Sequence, residues 1–324
     1  MKTRSPRSSA DEIVVKLTET LQDAVKLLQD AAYTPTAPRV DEAEQATLLE
    51  QCLLLCEQQA ATRPEPVRTL HHFACTGGTL ISKCIAALPN VQLLSEVDPL
   101  SPIGVNPDKP RFAPTDMGAQ MRQSTRGTSQ DLLIRMFQGD LRLVFDEAVR
   151  NGQRLVIRDH AHSHYCIGDD VPDRPTLREL LPADLPLRSV VTVRHPLDSY
   201  ASLVELRWAH FLPSTIDEYC ARYLRFLKAY EGLTVIRYED FVRTPRDVMR
   251  QLGQILDIPY AEDFAELRDA FKISGDSGRT GLAIEPRKRR AVALSLMAEA
   301  GRSENYHRLT SRLGYEPGGA EAAS

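Results

Sequence analysis

The sequence predicts an α/β fold, with a central parallel sheet of about five strands between two helical layers, preceded by a helical extension. Three observations predict it. From residue 68 onward, short apolar runs alternate with amphipathic stretches, the signature of repeated strand–helix–strand units. One run, Ser189-Val190-Val191-Thr192-Val193, is apolar without alternation, as a strand covered on both faces must be. The 324 residues, 42% of them hydrophobic, suffice for one large domain with an appendage.

In chain order, residues 1–10 are basic and Ser-rich and are expected to be disordered. Ile13, Leu17, Leu21, Val25 and Leu28 then recur at three- and four-residue intervals, predicting an amphipathic helix over 11–31. Thr34-Pro35-Thr36-Ala37-Pro38 breaks it. A second helix over 41–62 carries Leu48, Leu49, Cys52, Leu53 and Cys56 on its apolar side. This pair is expected to pack on the main domain or on another subunit, the second of which would make a homo-oligomer; the oligomeric state itself is not legible in the sequence. Arg63-Pro64-Glu65-Pro66 is a linker. The predicted boundaries are a helical extension over 1–66, a main domain over 67–317 and a flexible tail over 318–324.

Within the main domain, strands are expected at about 69–75, 91–95, 154–158, 188–193 and 234–238. Helices are expected at about 78–88, 128–150, 197–211, 214–231 and 245–256. The Pro- and Gly-rich residues 99–127 read as one long loop, often a lid or substrate loop.

Bulk properties exclude several classes. A formal net charge of −4 argues against a general nucleic-acid binder. The six cysteines form no Cys-x-x-Cys pair, so they read as reduced thiols of a cytoplasmic protein rather than a zinc ribbon. No apolar run approaches the roughly 20 residues that span a bilayer, and no secretory signal is visible.

Four segments carry chemistry. Cys75-Thr76-Gly77-Gly78-Thr79-Leu80 joins a strand to a helix. Its glycines let the backbone approach a phosphate, the helix start offers N–H groups, and Thr76 and Thr79 add hydroxyls. The Lys of a Walker turn is missing, which argues against an ordinary ATPase or GTPase. Second, Arg194 ends the apolar strand and Ser202 follows eight positions later on the next helix. An Arg fork with a hydroxyl at a strand end clamps an anionic group; a structural pair of Arg194 with Asp198 is the plainer reading. Third, Arg158-Asp159-His160-Ala161-His162-Ser163-His164 also ends a strand. His160 can act as a base at neutral pH, with Arg158 to hold developing negative charge. The alternating histidines would share one face of an extended chain, but no metal site is read from them, because a further ligand and orienting partners are wanted. Fourth, Ser274-Gly275-Asp276-Ser277-Gly278-Arg279 is a flexible loop whose Arg279 can close over a phosphate. Two separated anion-binding turns imply a ligand with two separated phosphates.

Together these residues resemble the sulfotransferase family that uses 3′-phosphoadenosine 5′-phosphosulfate (PAPS), over about residues 68–316. The turn Cys75–Thr79 looks like the family's 5′-phosphosulfate loop, and Arg194 through Ser202 like its 3′-phosphate motif. Arg237-Tyr238-Glu239-Asp240 after a strand resembles the family in general, and the Gly-Asp-Ser-Gly-Arg loop and Leu94-Ser95-Glu96-Val97-Asp98-Pro99 are similar to its bacterial members. The resemblance implies a P-loop-like fold and sulfuryl transfer from PAPS to a hydroxyl or amine of a small-molecule or carbohydrate acceptor, leaving PAP. It nominates His160 as base and Arg158 as a sulfuryl-oxygen donor, with Asp159 or Glu96 as the alternative base. It also implies Cys75, Thr76, Gly77, Gly78, Thr79, Leu80, Arg194, Ser202, Tyr238 and Arg279 as the cofactor site. Many members carry a basic residue where this chain has Cys75, so Arg158 or Lys83 would have to steady the bridging oxygen. A P-loop kinase and a non-catalytic PAP-binding scaffold are the rival readings. The segments 99–127 and 161–187 are expected to shape the acceptor pocket; Trp208 and Tyr165 are candidates for acceptor contact or for ordinary packing.

Overall fold

The computed structural model describes residues 64–103, 112–275, 283–286 and 292–317. The expected N-terminal helices, the tail, Arg279 and the basic run 287–290 lie outside the described residues.

Five parallel strands form the sheet: β1 (Val67–His72), β2 (Val91–Val97), β3 (Arg154–Asp159), β4 (Leu187–Val193) and β5 (Thr234–Arg237). Their order is β2-β3-β1-β4-β5. Helices α1 (Gly78–Ala86), α2 (Met117–Arg122), α3 (Gln130–Arg150), α4 (Ala161–Tyr165) and α5 (Leu177–Leu180) precede β4. After it come α6 (Pro196–Glu205), α7 (Ile216–Ala229), α8 (Tyr238–Arg243), α9 (Pro245–Leu256), α10 (Phe264–Leu267), α11 (Leu294–Arg302) and α12 (Glu304–Leu313).

Strand alternation divides the core into two layers. Leu70, Val156, Val190 and Ile236 face one side, against Ile81 of α1, Phe241 of α8 and Leu252 of α9. On the other side, Leu155 and Ile157 meet Leu141 and Phe145 of α3. On that same side Val191 and Val193 meet Tyr219, Tyr223 and Phe226 of α7. The sheet is therefore covered on both faces, the three-layer arrangement expected from its apolar strands. Arg68 is fully buried within this core. Its guanidinium satisfies the end of α9, donating to the Leu256 carbonyl at 2.6 Å and the Asp257 carbonyl at 2.9 Å.

Two features of the topology position the site. From β1 the chain runs toward β2, and from β4 it runs toward β5, so the connections diverge between these adjacent strands. Such a switch point opens a crevice at the carboxyl edge. At the other end, the β2–β3 register shifts between Leu94 and Val97, with Glu96 at φ 60°. This bulge throws Ser95 and Glu96 out of the ladder toward β3.

Two local expectations change. Residues 99–127 are not wholly loop, because Asp116 caps α2 by accepting from Ala119 N–H. The histidines after β3 do not lie on an extended chain, because α4 begins at Ala161 with His160 as its N-cap. Helical spacing separates them, and His164 stacks on Tyr165 at 4.3 Å instead of joining the other two.

Candidate active site

The turn after β1 is held by the core. The Phe73 ring stacks on Tyr223 at 4.4 Å. The Tyr219 hydroxyl donates to the Ala74 carbonyl at 3.0 Å. The Thr76 hydroxyl is buried and donates to the Phe73 carbonyl at 2.7 Å, so it closes the turn from inside and is no open donor. Gly77 then adopts φ 86° as the N-cap of α1, with no side chain capping the helix. Only glycine takes this conformation readily. A Cβ at Gly77 would run into the Tyr238 ring, and one at Gly78 into the His72 ring. The turn is thus a bare backbone held between two rings, with the uncapped N-terminus of α1 behind it.

Arg194, at the end of β4, closes this turn from the other strand. Its Nη1 donates to the Cys75 carbonyl at 3.3 Å, and its guanidinium lies 5.1 Å from the centre of the Tyr238 ring. Among the described residues no carboxylate pairs with it. Ser202 sits on α6 with its hydroxyl donating to the Asp198 carbonyl at 2.9 Å. Among the described residues no hydrogen bond joins it to Arg194. Behind Arg194, Glu239 accepts from His195 N–H at 3.0 Å and from the Tyr315 hydroxyl at 2.7 Å. That link binds the ends of β4 and β5 to the chain just past the last helix. Leu80 packs at the edge of the α1–α9 core.

The ends of β2 and β3 carry charge. Arg158 is only 3% exposed, and each of its nitrogens is engaged. Nε donates to His72 Nε2 at 2.7 Å, Nη1 to Ser95 Oγ at 3.0 Å, and Nη2 to Thr79 Oγ1 at 2.9 Å. Nη2 also pairs with Glu96 Oε1 at 2.6 Å. Glu96 Oε2 lies 3.4 Å from His160 Nε2. Burial pushes the Glu96 carboxyl up, against the pull of Arg158 and His160. Burial, then Arg158, holds His72 well below the usual imidazole range. It is therefore neutral, with Nε2 accepting from Arg158 and Nδ1–H donating to the Phe73 carbonyl at 3.2 Å. His72 links the glycine turn to Arg158, a role hidden in a sequence where it reads as one more strand residue.

Asp159 points to the opposite face. It accepts from His71 Nδ1 at 2.7 Å and the Tyr230 hydroxyl at 2.6 Å inside the core. That engages it within the core and leaves Glu96 as the carboxylate beside His160. Lys83 lies 3.9 Å from Asp269, and Tyr165 is 4% exposed among core aromatics. Ser274, from the start of the late loop, exchanges hydrogen bonds with Ser95 at 2.7 and 3.0 Å. Thr79 donates to the next carbonyl, of Gly275, at 3.3 Å. The late loop thus begins on the β2 end of the site. Among the described residues no group of His, Cys, Asp or Glu is arranged to hold a metal ion. None of the described helices is long and apolar enough to cross a membrane.

No protein-family model and no curated protein matches the chain. Solved structures do. The sulfotransferase domain of the olefin synthase of Synechococcus PCC 7002 is 18% identical with a TM-score of 0.50, covering 78% of this chain and 96% of that domain. The sulfotransferase domain of the curacin biosynthetic pathway is 19% identical with a TM-score of 0.46, covering 78% and 99%. Mouse sulfotransferase SULT7A1, solved with PAP, is 12% identical with a TM-score of 0.37, covering 77% and 89%. With its five-stranded parallel sheet and flanking helices, the chain adopts the fold of a sulfotransferase domain.

Proposed function

We propose that the protein is an enzyme that transfers a sulfuryl group from PAPS to an acceptor hydroxyl. The observation that carries this reading is the bare Gly77–Gly78 backbone facing an arginine that has no carboxylate partner among the described residues, across the crevice between β1 and β4. Uncapped helix amides and an unneutralised guanidinium suit two anionic groups. The missing Walker Lys disfavours a nucleoside triphosphate. The residues present fit PAPS: Gly77, Gly78, Thr79 and the start of α1 would hold its 5′ end. Arg194, with Ser202 and Arg279, would hold its 3′-phosphate, and Tyr238 would wall the space between.

Bound there, PAPS supplies the sulfuryl group, and the acceptor oxygen bonds to sulfur as the sulfur–oxygen bond to the 5′-phosphate breaks. The protein's own part is positioning and charge. With His160 Nε2 turned to Glu96, Nδ1 is the nitrogen left to take the acceptor's proton. Glu96 then stabilises the imidazolium, and Arg158 keeps Glu96 in place. Because its nitrogens are engaged within the protein, Arg158 aligns Thr79 and Glu96 more readily than it meets a sulfuryl oxygen. That same engagement favours the second reading, a PAP-binding protein without turnover.

Thermal shift with PAP, PAPS, AMP and Mg-ATP tests the binding step. A rise with PAP and PAPS well above that with AMP or Mg-ATP supports the reading. A rise with Mg-ATP alone supports a kinase and overturns it. Radiolabelled sulfate transfer to a phenol panel then separates an enzyme from a scaffold.

A further inference from the structure

His72 ends β1 and is 8% exposed, and its ring is used in two places at once. One edge backs the glycine turn: a Cβ at Gly78 would run into Cδ2, Cγ and Nδ1 of the imidazole. The far nitrogen, Nε2, accepts from Arg158 Nε at 2.7 Å. The near nitrogen, Nδ1, donates to the Phe73 carbonyl at 3.2 Å, which fixes the tautomer that leaves Nε2 with its lone pair. A buried polar ring at the end of a core strand needs partners. Here they are the strand's own backbone and the arginine of the neighbouring strand.

A guanidinium is a planar fork, so its direction is set by the acceptors along its edges. For Arg158, β1 supplies His72 at Nε, the β2 bulge supplies Ser95 at Nη1 and Glu96 at Nη2, and α1 supplies Thr79 at Nη2. With Nε anchored on His72, the plane cannot swing about the end of its stem, and Nη2 stays 2.6 Å from Glu96 Oε1. The same oxygen is walled by the backbone of Gly275, where a Cβ would run into it. Oε1 is thereby pinned, and Oε2 is the oxygen that faces His160 Nε2 at 3.4 Å.

We propose that His72 is a positioning residue: its Nε2 anchors Arg158, Arg158 holds Glu96 Oε1, and Oε2 is thereby aimed at His160, while the same ring backs the glycine turn. One side chain of β1 thus serves both ends of the crevice, through different atoms. This rests on the reading of His160 as base. Because the tasks use different parts of the ring, substitutions separate them. Phenylalanine keeps a ring behind Gly78 and has no acceptor. Glutamine has no ring, and its carbonyl reaches the place of Nε2.

The chain has eight histidines, few enough to follow each ring by proton–carbon NMR of the full-length protein, with His160 assigned as the signal lost in His160→Ala. At one fixed pH, His72→Phe moves the His160 ring signals in the direction that Glu96→Gln moves them, and the thermal shift with PAP persists. His72→Gln leaves the His160 signals where the wild type has them. In sulfate transfer to the phenol panel, His72→Phe loses about tenfold in kcat with little change in KM for PAPS. Where His72→Phe does not fold, His72→Asn, whose amide ends at the place of Nδ1, removes the same acceptor. His160 signals that move in Glu96→Gln but stay put once the acceptor is gone overturn the positioning role. Equal displacement in the Phe and Gln variants overturns it too, since packing alone would then be at work. The spectra need no turnover: a protein that gives them as expected, yet is not stabilised by PAP, overturns the PAPS reading and leaves the role of His72 standing.

Discussion

At the ends of β1 and β4 the groups around Arg194 are aromatic and carbonyl, whereas at the ends of β2 and β3 the groups around Arg158 are ionic. Arg194 lies over Tyr238 and donates to the Cys75 carbonyl. Arg158 pairs with Glu96 and is enclosed by His72, Ser95 and Thr79. The two arginines have the same chemistry and opposite states. A cation kept against a π face retains most of its charge for an incoming anion. One already paired with a buried carboxylate has spent its charge on holding that carboxylate. On the proposed reading, gripping a ligand and aiming a base fall to different strands of the same sheet.

The sharpest break between the regions is expected in turnover. His160→Ala removes the proposed base at the β3 end without touching the glycine turn. Turnover should fall about 10²–10⁴-fold while stabilisation by PAP persists. A variant that turns over at the wild-type rate would move the base elsewhere, to Glu96 first. Arg194→Ala is the mirror experiment. It removes one charge-assisted contact to phosphate, about 2–3 kcal/mol, or roughly 30- to 150-fold in PAP affinity. Affinity for AMP, which lacks the 3′-phosphate, should change far less. Equal loss for both nucleotides in calorimetry would make Arg194 a structural residue.

Sequence reading reaches the first region better than the second, for a physical reason. The glycine turn and Arg194 are local: each follows directly from an apolar run that ends, and the fold places both at one edge. The order of helices and strands is legible for the same reason, since Val190, Val191 and Val193 need cover on both faces. The second region is assembled from distant residues. Ser95 meets Ser274 across 179 positions, and Arg158 meets His72 across 86. Glu96 reaches His160 only because of a bulge that hydrophobic spacing does not announce. One signal was present. His71 and His72 are adjacent polar residues in a strand that must run through the core, and buried polar side chains need partners. The inward turn of the Thr76 hydroxyl and the helical course of the histidines after His160 also depend on tertiary packing.

The smallest expected effect separates the regions by pH. His162 is pushed down to about 4 from an ordinary 6.5, and burial holds His72 lower as well. Both imidazoles are neutral in the folded protein, while the unfolded chain takes up protons on them below about 6.5. The unfolded state then binds more protons, so stability falls as the pH drops from 6.5 toward 4. For His162, which keeps some contact with solvent, the loss is about 1–2 kcal/mol across that window. The aromatic groups around Arg194 behave otherwise: burial raises the Tyr223 and Tyr315 hydroxyls, which therefore stay neutral throughout. Acid should thus loosen the β3 side through His162, and it reaches the glycine turn only through His72, which backs Gly78. Melting temperatures at pH 7 and pH 5 check this, because His162→Phe removes one titrating ring and should make the acid-induced drop shallower than in the wild type. Identical drops would show that His162 carries its proton as easily in the folded protein as outside it.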